Sequence, residues 1–163
     1  MKRALAIVLC IAAAGCGFKL RGTAELPFET IYMPNPASGV QLDLKRNIIA
    51  GTHAKVVDDP KNAQAIMQFT EETKQKEILS LTSAGRVREF RLRYRVGFRV
   101  HDGKSGEYVP QQTIVLFRDV SFNDSDILAK ETEEQLLFRD MQQDMVQQIM
   151  SRLAASHPPT PPP

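Results

Sequence analysis

Within Val87 to His101, the residues from Glu89 to Val100 alternate in polarity. Phe90, Leu92, Tyr94, Val96, Phe98 and Val100 take the even positions, and Glu89, Arg91, Arg93, Arg95, Gly97 and Arg99 the odd ones. Successive residues of a strand point to opposite faces, so this run makes a strand with one apolar and one cationic face. A helix would scatter both sets around its cylinder. A strand this long needs long neighbours, and its apolar face needs a covering layer. The chain must therefore build a sheet that is covered on one side, with the arginines turned away from the core.

The flanking segments supply the partners. Ala65 to Leu81 opens with Ile66, Met67 and Phe69, has a charged middle, and closes with Ile78, Leu79 and Leu81. Tyr108 to Phe122 has an apolar centre from Thr113 to Phe117, and Pro110 places its start at an edge or a bulge. Ser83-Ala84-Gly85 and residues 102–106 provide the two connecting turns. Upstream, Glu29 to Met33 forms a short strand that Pro34 and Pro36 end. Ser38 and Gln41 have the spacing of a capping box, opening a helix through Ala50 with Val40, Leu44 and Ile48 on one face and Gly51 as its stop. Ala54 to Asp59 is a short extended piece. Leu137, Met141, Met145, Ile149 and Leu153 mark a long amphipathic helix from Ile127 or Lys130 to Ala155, with Asp126 or Ser125 as its cap. This order predicts an α+β fold: a two-layer, four-stranded mixed sheet with two helices packed on one face. It forms a single domain over residues 28–155, followed by a Pro-rich disordered tail at 156–163.

The start of the chain bears on location. A basic Met1-Lys2-Arg3 precedes an apolar run from Ala4 to Ala14, shorter than the roughly 20 residues a membrane-spanning helix requires. Residues 1–15 read as a secretory signal. Ala13-Ala14-Gly15-Cys16 resembles the lipobox of bacterial lipoproteins, in which the cysteine carries a diacylglycerol on sulfur and a further acyl chain on nitrogen. On that resemblance Cys16 is the lipidation site and residues 16–27 are a lipidated tether. The absence of Asp at position 17 implies the periplasmic side of the outer membrane. Cys10 leaves with the signal, so no thiol remains for a disulfide or a metal, and packing alone must hold the fold.

Of 21 bases and 19 acids, Lys2 and Arg3 also leave, which balances the mature chain. With no overall field, electrostatic function must come from segregation. Arg86, Arg88, Arg91, Arg93, Arg95, Arg99 and Lys104 face only Glu89 and Asp102 within 86–104, whereas 119–144 is strongly acidic. Side-by-side arginines repel unless acids on neighbouring strands or a ligand offset them. Two readings follow: cross-strand pairing with Glu71, Glu77 or similar residues, or an anionic partner held by bidentate guanidinium contacts. Secretion argues against nucleic acid, so a phosphate would belong to a lipid. Lys130, surrounded by acids, fits a local ion pair equally well, and Met141, Met145 and Met150 fit core packing. No catalytic constellation is visible. His53, His101 and His157 lack a nucleophile or fellow ligands in sequence, and the adjacent pairs Asp58-Asp59 and Glu71-Glu72 point to opposite faces of a strand. Neither a metal nor a cofactor is expected.

Gly15-Cys16-Gly17-Phe18-Lys19-Leu20-Arg21-Gly22 resembles the opening of the LPS-assembly lipoprotein (LptE) family, and the order of elements agrees through the mature chain. Val115-Leu116-Phe117-Arg118 and Leu128-Ala129-Lys130-Glu131 are similar to family segments at the last strand and at the entry to the last helix. The resemblance implies a non-enzymatic outer-membrane lipoprotein. Such a protein plugs an LptD β-barrel, binds lipopolysaccharide through its lipid A phosphates, and helps deliver it to the outer leaflet. By motif it implies Lys130 as a binding residue and, at the hairpin tip, Arg86. Arg91, Arg93 and Arg95 join them on the physical argument alone. The alternative is an accessory lipoprotein of an envelope lipid transporter or scaffold without a barrel. A periplasmic hydrolase is a third class, for which no nucleophile and base are found.

Overall fold

The computed structural model describes residues 24–34, 38–123 and 126–159. The signal segment, Cys16 with the first part of the tether, Ser125 and the last four residues of the tail lie outside the described residues.

In chain order the elements are β1 (Thr30–Tyr32), α1 (Gly39–Gly51), β2 (Lys55–Val57), a single 3₁₀ turn (Pro60–Asn62), β3 (Ala65–Leu81), β4 (Val87–His101), β5 (Glu107–Ser121) and α2 (Ile127–Ala154). The sheet has five strands in the order β2-β1-β3-β4-β5, one more than expected. The addition is the extended piece after α1, which pairs in parallel with β1 from Thr30↔Lys55 to Tyr32↔Val57. Three residues are too few to show a period, so only the fold reveals this strand. β3, β4 and β5 are antiparallel neighbours, and β4 is flanked along its length as its pattern demands. β5 is one of the two edge strands. Pro110 falls where the register slips between Phe98↔Gln112 and Val100↔Val109, so both positions open to a strand proline are used at once.

The even residues of β4 from Leu92 to Val100 are fully buried. They meet Val40, Leu44 and Ile48 of α1 and Met141, Met145, Val146, Ile149 and Leu153 of α2 in one core, so both helices cover the same face. Two glycines permit close approaches. Gly97 lets β4 slip beneath a bond from the Gln111 amide to Thr70 Oγ1 (2.8 Å), and a Cβ there would come 2.5 Å from that oxygen. Gly39, with φ +82°, opens α1 directly against Glu72.

Glu72 replaces the expected capping box. Ser38 stands at the N-cap with extended backbone and no side-chain cap. Glu72 Oε1 instead accepts from the Val40 N–H (3.1 Å) and the Tyr94 hydroxyl (2.7 Å), and Oε2 accepts from the Gln41 amide (3.4 Å). A carboxylate from the sheet thus serves a helix N-terminus that its own residues leave open. Burial, and then the Glu72 bond, push the Tyr94 hydroxyl above the usual phenol range. At the other end α1 includes Gly51, and Thr52 closes the helix, its N–H and Oγ1 both bonding to Ile48 O. Asp126 is the N-cap of α2, also without a side-chain cap bond.

The molecule has two unlike ends. Ala24 bonds to Gly51 O (2.9 Å), and Pro159 lies against Gly106 of the β4–β5 loop. The tether, the loop and the C-terminus of α2 therefore share the proximal end. The β3–β4 turn, the end of β5 and the start of α2 form the distal end. At about 3.3 Å per residue, β3 with its 17 residues runs about 50 Å between them.

Candidate functional site

A row of arginines on one sheet face must be neutralised in the folded chain. Arg91 makes a bidentate pair with Asp119, directly opposite on β5 (2.7 and 2.9 Å). Arg93 reaches diagonally to Glu77 (3.0 Å) and Arg95 to Glu71 (3.5 Å), while Arg99 bonds to Gln68 Oε1 (2.7 Å). Hydrogen bonding from Arg91 holds the Asp119 carboxyl below the usual carboxylate range, and the same pair raises the guanidinium. Cross-strand ion pairs therefore offset the charge of Arg91, Arg93 and Arg95, while Arg99 rests on a neutral amide. Between the pairs lies Phe117, 46% exposed, with the Arg91 and Arg93 guanidinium carbons 5.7 and 5.5 Å from its ring centre. The Arg93 Nε is buried without a hydrogen bond. All of these side chains keep part of their surface in solvent, so the face is wet and amphipathic. Glu71 and Glu72 point to opposite faces, as adjacent strand residues should.

The two residues singled out at element ends lie at the same, distal end. Arg86 belongs to the tight turn closed by Thr82 N–H to Arg86 O (2.7 Å). Beside it, Phe122 N–H bonds to Arg88 O (2.8 Å) and brings the end of β5 to the start of β4. Lys130, in the first turns of α2, reaches back to Ser121 Oγ (3.2 Å) and pairs with Glu133 (2.8 Å). Its side chain is 21% exposed, so the ion-pair reading of this lysine is realised without removing it from solvent. Apolar residues surround these cations: Ile78 is 60% and Leu128 80% exposed, and Leu81 and Ile127 also lie open.

A second cationic set was not anticipated. At Thr70 the register shifts, and the inner face of β3 passes from Met67 and Phe69 to Glu72, Lys74 and Lys76. In register across three strands lie the rows Lys74–Tyr94–Leu116, Lys76–Leu92–Arg118 and Ile78–Phe90–Val120. An apolar column on β4 is thus flanked by two exposed lysines on one side and a partly exposed arginine on the other, all on the face that α2 covers. Lys76 pairs with Glu134 (2.6 Å), and its Nζ lies 4.3 Å from the centre of the Phe90 ring. Lys74 bonds to Gln142 (3.2 Å) and faces Tyr94 and Phe138, and Arg118 pairs with Asp144 (2.5 Å). A strand-wide parity count misses this set, because one inserted residue reverses which side chains point inward.

Among the described residues, no cluster of three or more His, Cys, Asp or Glu side chains has metal-binding geometry. No helix among them is long and apolar enough to cross a membrane. The histidines remain apart; His101 Nδ1 accepts from the Gly103 N–H (3.1 Å) within its own turn.

Comparison with known proteins gives a consistent result. Residues 28–153 match the family model described as LptE, Lipopolysaccharide-assembly. The LPS-assembly lipoprotein LptE of Photorhabdus laumondii is 24% identical over 163 residues, covering 95% of this chain and 87% of the relative. That of Yersinia pestis (strain Pestoides F) is 29% identical over 166 residues, covering 95% and 77%. Among solved structures, the NMR structure of lipoprotein B from Nitrosomonas europaea superposes with a TM-score of 0.73 at 45% identity, covering 85% of this chain and 91% of the other.

Proposed function

The chain belongs to the LptE lipopolysaccharide-assembly family, and on that premise we propose that it is a non-enzymatic outer-membrane lipoprotein that binds lipopolysaccharide and plugs an LptD-like barrel. The observation that carries this reading is the family match together with Arg86 and Lys130, set among open apolar side chains at one end of the sheet. A phosphorylated, multiply acylated glycolipid offers both chemistries that this end displays: phosphates for the cations and chains for the apolar residues. Arg91, Arg93 and Arg95, already neutralised within the sheet, serve the barrel wall or the lipid by exchanging acid partners.

Dimensions support the geometry. The eight residue-to-residue steps from Cys16 to Ala24 span at most about 28 Å, so a lipid on Cys16 keeps the proximal end near the periplasmic leaflet. A sheet about 50 Å long exceeds the ~30 Å hydrocarbon thickness. Inserted into a barrel lumen, which is polar, it carries the distal end across the membrane, and its wet Arg/Glu face suits such a lining.

The double variant Arg86→Asp/Lys130→Asp should bind purified lipopolysaccharide at least about tenfold more weakly, the equivalent of about 1.4 kcal/mol, with an unchanged circular dichroism spectrum. A Glu133→Gln variant, which loses only the local pair of Lys130, should bind normally. Full binding by the double variant would remove the site assignment. Mild detergent extraction should also recover the acylated chain with a β-barrel of larger mass, and recovery with transporter subunits instead would replace the plug by the accessory role.

A further inference from the structure

The N-terminal half of α2 is attached unlike the rest of the core. Every fully buried residue of this helix lies between Met141 and Leu153. From Ile127 to Asp140 the helix contacts the sheet through few groups. Glu134 meets Lys76, Lys130 meets Ser121, Phe138 stands edge-on to Tyr94 at 6.4 Å between ring centres, and Leu137 packs against the core margin. At this end the margins of both layers are open to solvent, with Ile78 on β3 and Leu128 on the helix largely exposed.

What this half-helix covers is also unusual. Beneath it lies the apolar β4 column, Phe90 and Leu92, between Lys76 and Arg118. Lys76 is satisfied by a carboxylate of the helix itself. An internal acid that pairs with a cation beside an apolar trough does what an anionic head on an acyl chain would do.

We infer that residues 127–140 form a lid that opens by local unfolding from the helix N-terminus back to Met141, over a seat for a phosphorylated acyl chain. In the closed state Glu134 occupies the position of the phosphate. In the open state Lys74 and Lys76 bind the phosphate, and the Phe90–Leu92 column takes the chain. Segments held by few buried contacts open locally at far lower cost than the whole fold, and a ligand that binds only the open form shifts that equilibrium toward it. This inference rests on the lipopolysaccharide reading and adds a second site to it, away from Arg86. It also gives the protein a means of drawing an acyl chain out of an aggregate.

The full acylated chain in detergent provides the test. Binding of purified lipopolysaccharide to the unaltered protein is measured first and decides the wider reading by itself. A Ser121→Cys/Glu133→Cys variant, at two positions that both bond to Lys130 Nζ and leave Lys74 and Lys76 in place, is then joined by a short thiol–thiol cross-linker. The joined protein should bind at least about tenfold more weakly than the same variant left unjoined; equal binding overturns the lid while leaving the wider reading in place. Hydrogen exchange on the unaltered chain reads the lid without any substitution. Amides of 131–139 should exchange about tenfold or more faster than those of 145–153, and added lipopolysaccharide should speed them further, whereas inorganic phosphate should not. Uniform protection along α2, or slowing at 131–139 on adding the lipid, overturns the proposal.

Discussion

The two halves of the sheet are covered by the same helix in two different ways. Toward the proximal end, Met145, Val146, Ile149 and Leu153 join α1 and the even residues of β4 in a dry interface. Toward the distal end, lysines, an arginine and acids stand between helix and sheet, and apolar side chains remain open to water. A fully buried aliphatic side chain contributes about 1.5–3 kcal/mol, whereas a half-exposed ion pair contributes about 0–1 kcal/mol. Stability therefore resides near the tether, and the far end is left available for binding. Division of labour along one sheet follows from which residues β3 turns inward on either side of Thr70.

The sharpest way to break this contrast is to truncate the same residue type at both ends of one helix. Leu153→Ala removes a side chain with no solvent exposure and should cost about 2–5 kcal/mol, through lost transfer energy and the cavity left behind. Leu128→Ala, in the same helix at 80% exposure, should change stability by no more than about 0.5 kcal/mol. Thermal or urea unfolding of the two variants measures both. Comparable losses would mean that the distal half is packed as firmly as the proximal one.

A smaller effect is expected at the seam. Glu72 is the point where α1, β3 and β4 are tied together, and Glu72→Ala leaves the Val40 N–H without its acceptor and the Tyr94 hydroxyl with the long contact to Gln142 Oε1 (3.5 Å) in place of its short bond. A buried group deprived of its partner costs about 1–3 kcal/mol. Replacing Tyr94 by Phe in the same background should return part of that loss, because the hydroxyl in need of an acceptor is gone. A double variant no more stable than Glu72→Ala alone would show that the carboxylate acts on the helix terminus only.

Legibility in the sequence followed the same division. The long strands were legible because alternation over Phe90 to Val100 leaves one choice of element, and the last helix because four-residue spacing from Leu137 to Leu153 does the same. What failed was information carried by contacts between distant segments. β2 is a strand only because β1 accepts it in parallel. Ser38 and Gln41 satisfy a capping pattern, yet Glu72, more than thirty residues away, does the capping. The bulge at Thr70 reverses parity, so Lys74 and Lys76 stand on the helix-covered face of the sheet and reach Gln142 and Glu134 while staying exposed. At the candidate site, Arg86 and Lys130 were found by motif, their shared end of the sheet by structure, and the acids opposing Arg91, Arg93 and Arg95 were only two open alternatives until the register fixed the pairs.

The mildest expected effect tests whether the outer face remains paired in solution, as a face that meets a lumen or a lipid must be able to exchange partners. Asp119 titrates below the ordinary carboxylate range because Arg91 donates two hydrogen bonds to its charged form, although partial desolvation works the other way. A carboxylate whose folded pKa is depressed contributes stability above its unfolded pKa and loses that contribution as pH falls through the folded value. Acid should therefore weaken this pair only below the range in which free aspartates protonate. Carboxyl carbon shifts followed by NMR should give Asp119 a midpoint below the ordinary aspartate range, and Arg91→Gln should raise it toward that range. Asp119 and Arg91 both lie at the surface, so screening by salt should move the midpoint the same way. An Asp119 that titrates within the ordinary range in the unaltered chain would mean that the arginine row is free before any ligand arrives. The barrel or the lipid would then supply its first partners rather than its second.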